Sequence, residues 1–399
     1  MFIPLLCFVL VPLEAGRILV YNPKFGHSHS AFLGQLADIL HEEGHDVVRC
    51  PTLVPLLISP CQTSLIPELD PDIEDGTTKT RVIHIPIDAP TRKRYAAVID
   101  RMSDFFTASL FDIPLAFKAA PPFGQNFADS CRQTLMFPGL LRDLSREEYD
   151  VVLTENFDMC GLGISHLISA RSVIHVSTGA MFGVQYDEMG VPPALSYNPS
   201  QYTASFNVHS MVDRAWNLVG EFLFRVLFGS TREPTRRVFE ELYGENFPSF
   251  EVVSLIVRKL EIPLMQELSS RVAYAFTNAE PLLDVVHPTL HRVIDIGGIT
   301  AKNVTPLVEK WLDLLSLRPK SILISFGSIA KSSLMPIEYK RGILETILRL
   351  PDITFIWKYE DLADSFALVE AVAAPNLVLT EWMPQNDLLG MSYKWTSAS

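Results

Sequence analysis

The sequence predicts an α/β protein with two doubly wound, parallel-sheet domains, and three observations carry that reading. A βαβ pattern opens at residue 17, where Arg17-Ile18-Leu19-Val20-Tyr21 precedes Phe32, Leu33, Leu36, Ile39 and Leu40 at helical spacing. Two more apolar runs of strand length, Asp150-Val151-Val152-Leu153 and Ser172-Val173-Ile174-His175-Val176, flank a helical stretch near residues 161–170. A second alternation starts at Ser321-Ile322-Leu323-Ile324-Ser325-Phe326, passes through a helix over 336–350 and returns in Ile353-Thr354-Phe355-Ile356-Trp357.

Taken in order, residues 1–16 carry the apolar run Phe2 to Val11 and end at small residues before Arg17, the pattern of a signal peptide whose first residues lack Lys and Arg. Strand 17–21 is followed by a loop over 22–30 and a helix over 31–41. Gly44-His45 closes that helix, and Asp46-Val47-Val48 begins a second strand. Residues 199–263 are mainly helical, with an amphipathic stretch at 206–228 that suits a packed excursion, a cleft cover or contact with a bilayer surface. Residues 272–278 form another strand, and Pro281, Pro288 and Gly297-Gly298 mark a domain boundary near 288. The domains expected are 17–288 and 289–390, the second ending with a strand at 377–379 and followed by a divergent tail at 391–399.

Composition narrows the function. With 399 residues and 48% hydrophobic content the chain can bury a large core, and a net charge of −13 lacks the basic face that nucleic acid would require. No apolar run reaches the length of a membrane span, since Glu221 and Arg225 interrupt the stretch 218–228. Asn303-Val304-Thr305 is a glycosylation triplet that suits a lumenal chain. Cys50, Cys61, Cys131 and Cys160 leave disulfide pairing open, and no Cys/His cluster has metal-site spacing, so no metal is expected. The dinucleotide, P-loop and nucleophile-elbow signatures are absent from the sequence.

Parallel sheets bind ligands at the C-terminal ends of their strands. His29, with His27 as its neighbour, follows the first strand and is placed to act as a general base if a carboxylate orients its ring. In the second domain Gly327, Ser328, Lys358 and Trp382 fall on the equivalent edge. The stretch Ser325-Phe326-Gly327-Ser328, followed by Trp382-x-Pro384-Gln385, resembles the nucleotide-sugar-binding domain of UDP-glucuronosyltransferases, and the resemblance runs from about residue 17 to 390. It implies a GT-B type fold of two Rossmann-like domains, the second incomplete.

The resemblance also implies roles. His29 takes a proton from an acceptor hydroxyl, and Glu155, at a position where relatives often carry Asp, stabilises the imidazolium, with Asp158 as the fallback. The acceptor oxygen displaces UDP with inversion at the anomeric carbon. Ser325 to Ser328, beside a helix start, offer donors to the diphosphate, Trp382 stacks on uracil, Gln385 bonds its edge, and Lys358 supplies charge where relatives often have Arg. The co-substrate is UDP-glucuronic acid or another UDP-sugar, with no further cofactor, and the acceptor is small and lipophilic, its specificity set by variable N-terminal loops that the resemblance puts at residues 52–80 and 105–127. The expected setting is the endoplasmic reticulum. Relatives continue past Gly390 with a phosphate loop, an Asp-Gln pair and a membrane helix. The expectation is therefore a truncated chain with impaired activity or, alternatively, a non-catalytic acceptor-binding or regulatory partner of full-length relatives in an oligomer.

Overall fold

The protein was analysed as a computed structural model that describes residues 16–45, 62–101, 106, 113–192, 194–200, 206–248, 268–285, 287–301, 305–327 and 330–395. The larger sheet comprises β1 (Ile18–Tyr21), β2 (Gln62–Glu68), β3 (Arg81–Pro86), β4 (Val151–Glu155), β5 (Ser172–Ser177), β6 (Val272–Thr277) and β7 (Val293–Asp295). Its order is β3-β2-β1-β4-β5-β6-β7, and each adjacent pair is parallel. The order reverses between β1 and β4, the switch point at which such sheets open a crevice.

β1 explains why its sequence is apolar throughout rather than alternating. Ile18 and Val20 pack with Phe32, Leu33 and Leu36 of α1 (His27–Leu40), while Leu19 and Tyr21 join the core on the opposite face. That second face is covered by α2 (Ala89–Arg101), α3 (Ile113–Leu135), α4 (Leu140–Glu147), α5 (Cys160–Leu167), α6 (Gly183–Glu188) and α7 (Met211–Tyr243). A disulfide joins Cys131 of α3 to Cys160 of α5, a pairing that the sequence left open. The outer face of α7 is apolar and exposed at Met211, Val212, Trp216, Val219 and Phe222. Among the described residues no helix is long and apolar enough to cross a membrane.

The smaller sheet, β10-β9-β8, is also parallel and comprises β8 (Lys320–Ile324), β9 (Ile353–Lys358) and β10 (Leu377–Thr380). Ile356 packs with Trp311 of α8 (Glu309–Ser316) and Leu388 of α10 (Gln385–Trp395), and Phe355 and Trp357 pack with Leu344 and Ile347 of α9 (Ile337–Leu348).

Several expectations change. The loop after β1 covers only 22–26, because the helix already starts at His27. β2 lies inside the expected loop 52–80, and α3 occupies most of the expected loop 105–127. β7 carries the first sheet past residue 288. A single π-helical turn over His41–His45 follows α1, and Asp46 to Val48 lie outside the described residues. So do the apolar segment 1–15, Cys50, Cys61, Asn303, Ser328 and the end of the tail at 396–399, whereas α10 continues through Trp395.

Candidate active site

The crevice at the end of β1 is built by backbone bonds. Asn22 and Lys24 donate their amides to the carbonyls of Leu65 and Pro67, which hangs the loop on the end of β2. The Asn22 side chain donates to the carbonyls of Ser30 and Asp75, both at 3.1 Å. A left-handed turn at Gly76 lies so close to α1 that a Cβ on Gly34 would fall 2.2 Å from the Gly76 backbone. Held on two sides, the first turn of α1 projects His29 over the strand ends.

The His29 Nδ1 atom lies 3.1 Å from Oε2 of Glu155, the last residue of β4, and the Glu155 side chain is fully buried. The Thr178 Oγ1 atom, one residue beyond β5, lies 3.0 Å from Nδ1 and 3.5 Å from Nε2. Phe25 packs on the imidazole at 4.4 Å and Phe157 meets it edge-on at 5.6 Å. From Phe157 the ring contacts run on to Phe182 and Phe228, and from Phe25 to Phe127. The histidine therefore has a carboxylate on one side and an apolar aromatic wall on the other.

The loop after Glu155 is fastened by its neighbours. The Asn156 carbonyl accepts from Nη2 of Arg232 at 3.2 Å, and Arg232 forms a buried ion pair with Glu188. Asp158 accepts from the Tyr21 hydroxyl and the Cys160 amide, each at 2.9 Å. Burial pushes the Asp158 carboxyl up to about 6; the two hydrogen bonds oppose that shift and the charge of Glu155 adds to it. Asp158 is thus engaged with β1, and Glu155 is the carboxylate at His29.

Across the crevice, the ends of β8, β9 and β10 present the remaining candidates. Gly327 adopts a left-handed conformation (φ 84°) with open space where a Cβ would stand, and its amide donates to Ser325 Oγ at 3.3 Å. Lys358 donates to the Gly327 carbonyl at 2.8 Å, pairs with Glu360 at 3.1 Å and sits 5.6 Å over the Trp382 ring. The Trp382 ring is 57% exposed and lies 5.3 Å from the ring of His27. Gln385 opens α10 and is exposed. The helix start expected beside Ser325 is not there: the next helical element is a 3₁₀ turn at Ser332–Leu334, and α9 begins only at Ile337. Among the described residues no group of three or more His, Cys, Asp or Glu side chains is placed to hold a metal ion.

The sequence profile described as "UDP-glucoronosyl and UDP-glucosyl transferase" matches residues 16–394. The chain belongs to this family of transferases. Among its relatives is ugt-55 of Caenorhabditis elegans, named for the UDP-glucuronosyltransferases, which is 27% identical over 97% of this chain and 69% of its own length. UDP-glucuronosyltransferase 3A1 of Bos taurus is 23% identical over 94% of this chain and 65% of its own. The chain spans about two thirds of the length of the curated relatives it matches. The glycosyltransferase SnogD from Streptomyces nogalater superposes with a TM-score of 0.50 at 15% identity, covering 94% of this chain and 74% of that one, and its likeness shows a GT-B fold.

Within this transferase fold, the structure brings His29 and Glu155 together and turns His27 toward the opposite rim, against Trp382. Thr178, Phe25, Phe157 and Phe182 escaped the sequence reading. Thr178 had a usable signal, because it directly follows a recognised strand on the ligand-binding edge. The phenylalanines looked like ordinary core.

Proposed function

We propose that this chain transfers a sugar from a UDP-sugar to a hydroxyl of a small lipophilic acceptor, with glucuronic acid as the first candidate sugar and glucose as the alternative. The observation that carries the reading is the contact between His29 and the buried Glu155. With Nδ1–H donated to the carboxylate, Nε2 keeps its lone pair and removes the acceptor proton. The acceptor oxygen then forms its bond to the anomeric carbon on the face opposite UDP, the bond to the diphosphate breaks, and configuration inverts. Glu155 stabilises the imidazolium that results. The phenylalanine wall suits an apolar acceptor, and it excludes water that would compete as nucleophile.

On the donor side Trp382 offers a stacking face to uracil and Gln385 a polar edge, while Ser325, Gly327 and Lys358 surround the place of the diphosphate. Lys358 is already paired with Glu360, so its net charge toward the diphosphate is reduced. An oxidising, lumenal compartment is supported by the Cys131–Cys160 disulfide.

The test is product formation from UDP-glucuronic acid with a panel of phenolic acceptors. His29→Ala should lower kcat by about 10²–10⁴, the usual contribution of a general base, and Glu155→Gln should lower it in the same direction. Turnover that is unchanged in His29→Ala would refute the mechanism, and a parent chain that forms no product would favour a non-catalytic, acceptor-binding role.

A further inference from the structure

We propose that the acceptor carries a protonated amine, held by Glu221 and Asn198 in a small recess behind the phenylalanine wall, at the end of the acceptor cleft remote from His29. The inference rests on the reading of the wall beside His29 as the acceptor site, and it names the class of acceptor that the site takes. α7 connects the two places. Its Phe228 and Phe224 meet the ring of Phe182 at 6.0 and 5.1 Å. Glu221 lies on the same face of α7, one turn before Phe224 and about 10 Å along the axis from Phe228. Met181 and Gly183, on either side of Phe182, line the recess together with Glu221, Asn198 and His287. A free volume of about 40 Å³ is too small for a whole acceptor and suits a head group of a few atoms.

The polar groups of the recess ask for a cation. Glu221 and Asn198 are each 3% exposed. Asn198 Nδ2 donates to Nδ1 of His287 at 2.7 Å, and its Oδ1 has no hydrogen-bond partner among the described residues. A buried oxygen of this kind is costly until a donor reaches it. The carboxylate of Glu221 fits because residue 183 is glycine, since a Cβ there would stand 2.5 Å from it. Arg225 pairs with Glu221 at 3.0 Å but also pairs with Asp187, so these three groups together keep one negative charge. Asp284 and Asp295 add to that field, and both act on Tyr186 and His287, whose rings stack at 4.6 Å beside the recess. Burial lowers His287, which is therefore neutral at pH 7, and among the described residues no Lys or Arg lines the recess. An ammonium brings donors and a positive charge and nothing that needs a donor in return, so it matches these groups; a carboxylate or phosphate would be repelled.

Binding to the full chain, measured by calorimetry, tests the recess apart from catalysis. The probes are 4-(aminoalkyl)phenols of increasing chain length and, for each, the uncharged 4-(hydroxyalkyl)phenol of the same length. A hydrogen bond to a charged group contributes about 10- to 100-fold in affinity. The amine should bind tighter than its alcohol by that factor once the chain spans the roughly 10 Å from the wall to Glu221. Glu221→Gln should bring the ratio of the two affinities close to one, and Asn198→Ala should lower it by a smaller factor. Both ligands are measured on one preparation, so a fraction of unfolded protein leaves the ratio unchanged. Equal affinity of amine and alcohol at every length, or a preference that survives in Glu221→Gln, would overturn the proposal. A preference of the same size at every chain length would overturn it too, by detaching the recess from the wall. In His29→Ala the ratio should stand, so unchanged turnover in that variant removes the assignment of the base and not the recess.

Discussion

Two carboxylates three residues apart, Glu155 at the end of β4 and Asp158 in the loop after it, are pulled toward different partners, and their surroundings decide which serves the histidine. Glu155 ends β4 facing His29, whereas Asp158 turns back to Tyr21 and the Cys160 amide. The raised Asp158 carboxyl has a consequence for stability. Its folded value of about 6 lies above its unfolded value near 3.8, so the folded protein holds the proton more tightly. That contribution is fully present below about pH 4 and is lost as pH rises through about 6. The unfolding free energy of the parent minus that of Asp158→Asn should fall by on the order of 2–3 kcal/mol between these limits, as measured by urea titration across pH. A flat difference would show that Asp158 does not carry this burden. At this scale the pairing of His29 with Glu155 was expected from the family resemblance, because a lone loop histidine or strand-end carboxylate is too common to mark a site. Thr178 was passed over, since a single hydroxyl has no spacing of its own and only its place just beyond a strand end marks it.

Elements were legible where apolar residues were continuous, as in β1, β4, β5 and β9, and hidden where proline interrupted them. β2 carries Pro67 in an interior strand, paired with Ile85 of β3, and a proline at such a place weakens the strand pattern. α3 runs through Pro121 and Pro122, where Asn126 Nδ2 donates to the Pro122 carbonyl at 2.9 Å. Tertiary packing overrides both signals: β2 is sandwiched between β1 and β3, and α3 lies along α7 and is bonded to α5 by the disulfide. That disulfide closes a sequence separation of 29 residues and fastens the start of α5, to which the short loop after Glu155 leads. Its removal by Cys131→Ser with Cys160→Ser should cost about 3–4 kcal/mol of stability. It should also lower kcat more than KM, because the carboxylate would lose its rigid mount. A thermal melt with and without reductant, together with a non-reducing peptide map, checks both the bond and its worth; identical midpoints and unlinked peptides would count against it.

For the molecule as a whole, the two sheets meet across a crevice with few polar ties among the described residues. Lys331 pairs with Asp100 at 2.9 Å at an exposed position, worth at most about 1 kcal/mol, and Phe106 meets Phe326 edge-on at 5.5 Å. The Trp382 indole stands at the rim of this crevice. Base stacking on an aromatic side chain contributes about 1–3 kcal/mol, so Trp382→Ala should weaken UDP binding by roughly 5- to 150-fold in calorimetry while leaving the fold intact. Binding that is unaffected would remove Trp382 from the donor site. The sequence indicated which residues gather at each sheet edge, but not that His27 would turn away from its neighbour His29 to face the second sheet. Its position in the first turn of a helix, rather than in a loop, decides that direction. An indole held 5.3 Å from an imidazole is also an optical gauge. Contact with an imidazole dims indole emission, so the fluorescence of Trp382 would report on the gap between the two rims, brightening as they part and fading as they close.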